Sequence, residues 1–488
     1  MPRSIRRGYA GQRPGRSDGS RVARGDHHGR GPASLVESGS RGIREGRITP
    51  IDKLRKLAED VDAQTPEERD RYADLIRVLA ILVVVLGHWI AAVVIVDDGE
   101  VDATQILVVE PWTQLATWVV QVMPLFFLVG GLVNADSLRR ARERGQSSSA
   151  WIQKRARRLL LPTLPLLVLW LSMGPAMSWM GVEAGLVELA TESAFVPLWF
   201  LVVYLLVIVL APASMWLHRR AGVPLILGAV VLVGVVDALE RAEVPIVGEL
   251  NYLLVFGIAH QLGYLWADGR LPGWPRSLHL AWGGFGAAVL LVWLLDYPVS
   301  MVGLLADADS NATPPTLAMV ALTIMQVGIV LSLRGRADRW LHRRPVVWAG
   351  VAVIGSVIIT IFLWHMTALI VVASLTHVAG WWPQVTEIDA QWWLLRPAWL
   401  TLCGLALIPL VLIFRKLESA GEPGPGGAPR TALGIAATAG GLYILLTEGV
   451  YDPDRPVGLP LPAVPLLAAG MALLKVASRS SVGSSNDA

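Results

Sequence analysis

Long apolar stretches separated by short polar breaks dominate this chain. Windows of about 18 to 25 residues with few charges fall near 74–97, 113–135, 158–180, 197–217, 222–239, 250–267, 278–296, 315–333, 350–376, 391–414, 431–447 and 459–475. A helix needs roughly 20 apolar residues to cross ~30 Å of hydrocarbon. The pattern therefore predicts an all-α, polytopic membrane helix bundle, with about ten spans over 74–416 and two more over 431–475. Between the two groups, LESAGEPGPGGAPR at 417–430 reads as a Gly/Pro-rich linker. Residues 51–73 read as a short amphipathic helix, followed by Thr65-Pro66-Glu67-Glu68 as a capping box that starts the helix of the first span. Residues 1–50 are rich in Arg, Gly and Ser with no apolar run, so they are predicted to be a disordered cytosolic tail rather than a signal peptide. Residues 476–488 are a second expected cytosolic tail.

Composition agrees with the pattern. Hydrophobic residues make up 53% of the 488, charged residues only 17%, and the mean hydropathy is +0.51, which excludes an ordinary soluble protein of this size. The net charge of +3 hides a segregation between loops. With the N-terminus inside, loops expected in the cytosol carry RRARERG, QKRARR, HRR and RGRADRWLHRR. Loops expected outside are acidic (DDGEVD, DADS, TEGVYDPD) and hold only Arg241 and Arg455. One missed or extra span would invert this alternation, so twelve spans with both termini in the cytosol is the expectation, in the cytoplasmic membrane. Cys403 is the one cysteine, so neither a disulfide framework nor a cysteine metal site is expected.

Candidate chemistry concentrates in DLIRVLAILVVVLGHW, Asp74 to Trp89. Arg77 and His88 are eleven residues apart, so on a helix they differ by only about 20° around the axis and lie roughly 16 Å apart along it. Asp74, Ile81 and Val84 share that face, which runs from the membrane edge at Arg77 to mid-bilayer at His88. An ionisable group at that depth is costly unless it faces protein or water, so a functional role is expected. His365, on the ninth span, is a second intramembrane histidine, expected to line the cavity. His260, in the sixth span, can equally be a core histidine bonded to a neighbouring helix. Arg396 with Trp392 and Trp393, near the outer end of the tenth span, reads as an interfacial anchor, with an acceptor-binding group as the alternative. Pro124 is expected to kink the second span, and Gly130 with Gly131 to allow close helix approach. GGFGAAV at 283–289 lies in an apolar span and reads as packing, and Asn311-Ala312-Thr313 is a formal glycosylation sequon. No phosphate-binding loop, metal-ligand spacing or nucleophile elbow is present.

The spacing of Arg77 and His88 resembles the hallmark of the membrane-bound acyltransferase-3 family. PLFFLVGG at Pro124–Gly131 is similar to that family's second-span motif, with Gly130 where many members carry Ser. KRARRLLLP at Lys154–Pro162 resembles its Arg-x-x-Arg element, carried by Arg155 and Arg158. PLWFL at Pro197–Leu201, which contains Trp199, and FLWHM around His365 extend the resemblance over roughly residues 68–416. The resemblance implies transfer of an acyl group, commonly acetyl, from cytosolic acyl-CoA to a hydroxyl of a carbohydrate, lipid or cell-envelope glycan. Arg77, Arg155 and Arg158 would bind the donor's phosphates and His88 would be catalytic, with Asp74, His365, His260, Trp199 and Gly131 as secondary candidates lining the cavity. The implied partners are acyl-CoA as co-substrate, the acceptor and the bilayer; no cofactor, metal or nucleic acid is expected. Intramembrane histidines in a twelve-span chain also fit a proton-coupled transporter or flippase, the alternative reading.

Overall fold

The computed structural model describes residues 50–97, 100–303, 309–381, 388–419 and 427–474. The tails expected at 1–50 and 476–488, apart from Pro50, and the middle of the 417–430 linker lie outside the described residues. Helix α1 (Pro50–Ala63) precedes α2 (Arg71–Ala91), which runs into an antiparallel hairpin of β1 (Ala92–Asp97) and β2 (Glu100–Gln105). Short helices α3 (Ile106–Val109) and α4 (Thr117–Val120) lead to α5 (Met123–Glu143), α6 (Ser148–Leu160) and α7 (Leu164–Trp179). Next come α8 (Ala184–Phe195), α9 (Leu198–Ala221), α10 (Val223–Arg241), α11 (Leu250–Ala267) and α12 (Arg276–Leu294). The series closes with α13 (Leu317–His342), α14 (Pro345–Ser356), α15 (Ile358–Ala379), α16 (Ala390–Phe414), α17 (Ala428–Thr447) and α18 (Ala463–Leu473).

Among the described residues, nine helical segments are long and apolar enough to cross a membrane, or ten if α6 and α7, bent at 46°, form one broken span. The chain is a membrane protein built almost wholly of helices. The count falls below the twelve apolar windows for physical reasons. Helix α11 is 18 residues long, but Asn251, His260 and Gln261 dilute its apolar character. Helix α18 has 11 residues, about 16 Å at 1.5 Å per residue, or half a hydrocarbon core.

Several boundaries also move. The first span stops at Ala91 rather than near 97, because the β-branched run from Val93 to Val96 pairs with Val101 to Thr104. Its N-cap is Asp70, whose carboxylate accepts from the Ala73 N–H at 2.9 Å, and not the Thr65 box. Thr65 instead receives the indole N–H of Trp348 at 2.8 Å, which ties the segment after α1 to α14. Pro124 begins α5 rather than kinking a longer helix, since proline needs no N–H at that position. The window at 350–376 breaks at Val357 into α14 and α15. Asn311 is fully buried and its amide donates to Pro298 O and Ser300 O, so the sequon is spent on folding the loop.

One large core is drawn from α2, α5–α9, α11 and α14–α18, and a second joins α10, α11, α12 and α13. Helices α5 and α11 meet backbone to backbone. A Cβ added at Gly131 would lie 2.0 Å from His260 O, and one at Gly263 would lie 2.1 Å from Leu128 O. Only glycine at both positions allows this seam. The terminal pair α17 and α18 is docked onto the bundle rather than hanging from the linker: α17 packs on α9 and α6, and Gln153 of α6 donates to Leu474 O at 3.3 Å.

Candidate active site

Helix α2 carries the polar stripe foreseen from its periodicity. Near its N-terminus, Asp74 accepts from Arg77 Nη2 at 3.1 Å and from Arg69 Nε at 2.6 Å. One carboxylate thus holds two guanidinium groups, and Arg77 is oriented rather than loose. Its Nε is buried without a partner. Arg155, on α6, is half-buried, 5.4 Å from the centre of the Trp151 ring, and within electrostatic reach of Arg77, Arg140, Arg158 and Tyr204. Arg158 is exposed. The fold therefore gathers the three arginines singled out in the sequence into one cationic region. A Cβ at Gly130 would meet the Tyr204 ring at 3.0 Å and its hydroxyl at 3.2 Å, so Tyr204 fills the space that a serine side chain there would enter.

His88 lies in the last turn of α2, three residues from its end, rather than deep within a longer helix. A helix C-terminus favours positive charge by about 0.3–1 kcal/mol, so this position suits a basic ring. The carbonyls that this terminus leaves over are capped from α16. Trp399 Nε1 donates to Trp89 O at 3.1 Å, and Arg396 Nη1 donates to Ala92 O at 3.1 Å. Arg396 is thus not an interfacial anchor: it is 7% exposed, and its guanidinium lies 3.6 Å from the centre of the Trp392 ring. Helix α16 locks the end of α2 in place.

The Nδ1 atom of His88 is 2.9 Å from Val84 O and 3.3 Å from Nε2 of His365. A carbonyl only accepts, so Nδ1 carries the hydrogen and Nε2 carries the lone pair. Among the described residues Nε2 of His88 has no hydrogen-bond partner, and it is not one of the sealed, unsatisfied buried atoms. His365, on α15, is fully buried, and the indole N–H of Trp89 donates to its backbone carbonyl at 2.9 Å. Two histidines 277 positions apart thereby meet at the end of α2, with ring centres 5.0 Å apart.

The remaining candidates lie elsewhere. His260 sits in the α5–α11 seam, with Nε2 3.1 Å from Asn134 Nδ2, the bonded core histidine foreseen as its alternative role. Trp199 packs on Phe256 at 5.6 Å between ring centres. An aromatic series links it to the site: Trp199 touches Phe200, Phe200 touches Phe362 and Phe362 touches His365. Tyr204, Trp399 and the inward role of Arg396 were missed by sequence reasoning. The three-to-four-residue spacing of Trp392, Arg396 and Trp399 on α16 was the available signal, since it puts them on one helix face.

Comparison with known families decides the class of chemistry. The family model described as an acyltransferase domain matches residues 70–415, well over half of the chain. The chain belongs to the acyltransferase-3 family. No curated protein and no solved structure matches it. The match begins at the Asp70 cap of α2 and ends as α16 gives way to the 3₁₀ turn at Arg415–Ser419, so this membrane acyltransferase carries α1 and the α17–α18 pair outside the family domain.

Proposed function

We propose that this membrane acyltransferase moves an acetyl group from cytosolic acetyl-CoA to a hydroxyl of a carbohydrate, lipid or cell-envelope glycan. In this reading it lies in the cytoplasmic membrane with both termini in the cytosol. CoA is a polyphosphate on a long thin arm, so its site needs a cationic mouth and a narrow way inward. Arg77, Arg155 and Arg158 supply guanidinium donors suited to phosphate oxygens. His88, about 16 Å further along the same helix face, is placed for the arm's reactive end.

His88 Nε2 takes the proton of the acceptor hydroxyl as that oxygen attacks the thioester carbonyl. The tetrahedral intermediate collapses, the carbon–sulfur bond breaks, and the leaving thiolate takes the proton back from Nε2. The observation that carries this reading is the tethering of His88 through Nδ1, which leaves Nε2 unpartnered. The donor, the acetyl group and the acceptor class rest on the cationic region and on the family. No observation favours the transporter alternative.

The test is turnover of radiolabelled acetyl-CoA by the purified protein in detergent micelles, with an envelope extract of its own host as acceptor. Label should pass to a lipid or glycan while free CoA thiol appears in equal amount. A transporter would leave acetyl-CoA intact.

A further inference from the structure

The His88–His365 contact has a direction, because each ring has one nitrogen committed by a carbonyl. Nδ1 of His365 lies 2.5 Å from Phe362 O, and a carbonyl can only accept, so Nδ1 bears the hydrogen. In the neutral ring, Nε2 of His365 is then a lone pair. It faces Nδ1 of His88 at 3.3 Å, which bears a hydrogen because of Val84 O. Both tautomers are fixed from the backbone, and they are complementary: the Nδ1–H of His88 is shared between Val84 O and the lone pair of His365.

We infer that His365 is a positioning residue for the transfer: its Nε2 lone pair orients the His88 ring and accepts from Nδ1–H most strongly when Nε2 of His88 has taken the acceptor's proton. This deepens the general-base reading of His88 and rests on it. The proton balance is closed. The hydroxyl proton moves to His88 Nε2, the Nδ1–H···Nε2 bond shortens as the ring becomes cationic, and the proton on His88 Nε2 leaves with the CoA thiolate. A hydrogen bond with one charged partner is roughly twice as strong as a neutral one, so the contact stabilises the charged intermediate more than the resting site.

The surrounding packing fits this role. His365 has no exposed surface through which to meet substrate, so it acts through another residue. Trp89, next to His88 in sequence, bonds the backbone carbonyl of His365 itself, which pins α2 and α15 in the register the two rings require. On α15, Thr367 accepts from the Trp170 indole at 3.0 Å, so the helix is tied on a second side to α7.

The test separates an acceptor at the Nε2 position from mere bulk. In His365→Gln the side-chain oxygen can reach the place of Nε2, whereas in His365→Asn the polar group stops near the place of Nδ1. His365→Leu keeps bulk and removes both. Turnover of radiolabelled acetyl-CoA by the full chain in micelles, with the same envelope extract, is measured with acetyl-CoA binding and thermal unfolding. We expect His365→Leu and His365→Asn to lose at least 10²-fold in kcat with KM for acetyl-CoA within about twofold, and His365→Gln to recover at least ten-fold over Asn. Equal activity of Gln and Asn, wild-type kcat in Leu, or loss of acetyl-CoA binding and folding in all three overturns the inference. His88→Ala run in parallel keeps the two claims apart. If it is dead while His365→Leu is fully active, only the role of His365 fails; if His88→Ala turns over normally, the base assignment fails first.

Discussion

Arg77 and His88 share one face of α2 but depend on different neighbours. Arg77 is held by Asp74, which keeps Arg69 as a second partner, so removing Arg77 leaves that carboxylate paired. Arg77→Ala should therefore fold and insert normally while acetyl-CoA affinity falls ten-fold or more, because a lost charged hydrogen bond costs about 1.5–3 kcal/mol. Titration of acetyl-CoA into the purified variant checks this; unchanged affinity would make Arg77 only a bilayer-edge anchor. Arg155→Ala should weaken acetyl-CoA binding as well, since Arg155, half-buried on α6 and within electrostatic reach of Arg77, belongs to the same cationic region; the same titration checks it, and unchanged affinity would remove Arg155 from the donor site. The shared face of Arg77 and His88 was legible in the sequence because helical periodicity fixes it. The meeting of His88 with His365 was not, because no local rule relates positions 277 residues apart. Arg396 was misread because a Trp/Arg cluster near a helix end looks the same whether it faces headgroups or neighbouring carbonyls.

At the scale of elements, the site depends on helices that do not touch substrate. Glycines 131 and 263 let α5 and α11 meet backbone to backbone, and α5 in turn packs on α2. Gly131→Val should force that seam apart, costing about 1–3 kcal/mol as overpacking does and lowering the unfolding temperature. Thermal unfolding in detergent would show this, and an unchanged midpoint would mean the seam is looser than its geometry implies. The close packing of Gly131 was foreseen from its position in an apolar span. The helix ends were less legible. The capping box at Thr65 satisfied every local rule, yet Asp70 won because Thr65 is engaged by Trp348 of α14, a tertiary contact that local sequence does not announce.

At the scale of the whole molecule, the apolar pattern yielded the helical membrane architecture, and nine or ten of its twelve windows fall on described helices long and apolar enough to cross. Hydropathy windows do not register that α18 is too short to cross or that α11 spends polar residues on its neighbours. Orientation rests on the loop charges alone. With both termini in the cytosol, a cysteine placed at Ser148 in a Cys403→Ser background should react only with membrane-permeant reagents in intact cells. Labelling by an impermeant external reagent would reverse the orientation and put the cationic region on the wrong side for cytosolic acetyl-CoA.

Orientation and donor binding serve one chemical step, and His88→Gln isolates it. Glutamine keeps hydrogen-bonding capacity but takes up no proton at neutral pH. General-base catalysis typically supplies about 10²–10⁴ in rate. The most direct measurement is acetyl-CoA binding and acetyl transfer side by side on purified His88→Gln in micelles. Wild-type binding with transfer reduced at least 10²-fold is the predicted result, and near-wild-type transfer would contradict the assignment of His88 as the base.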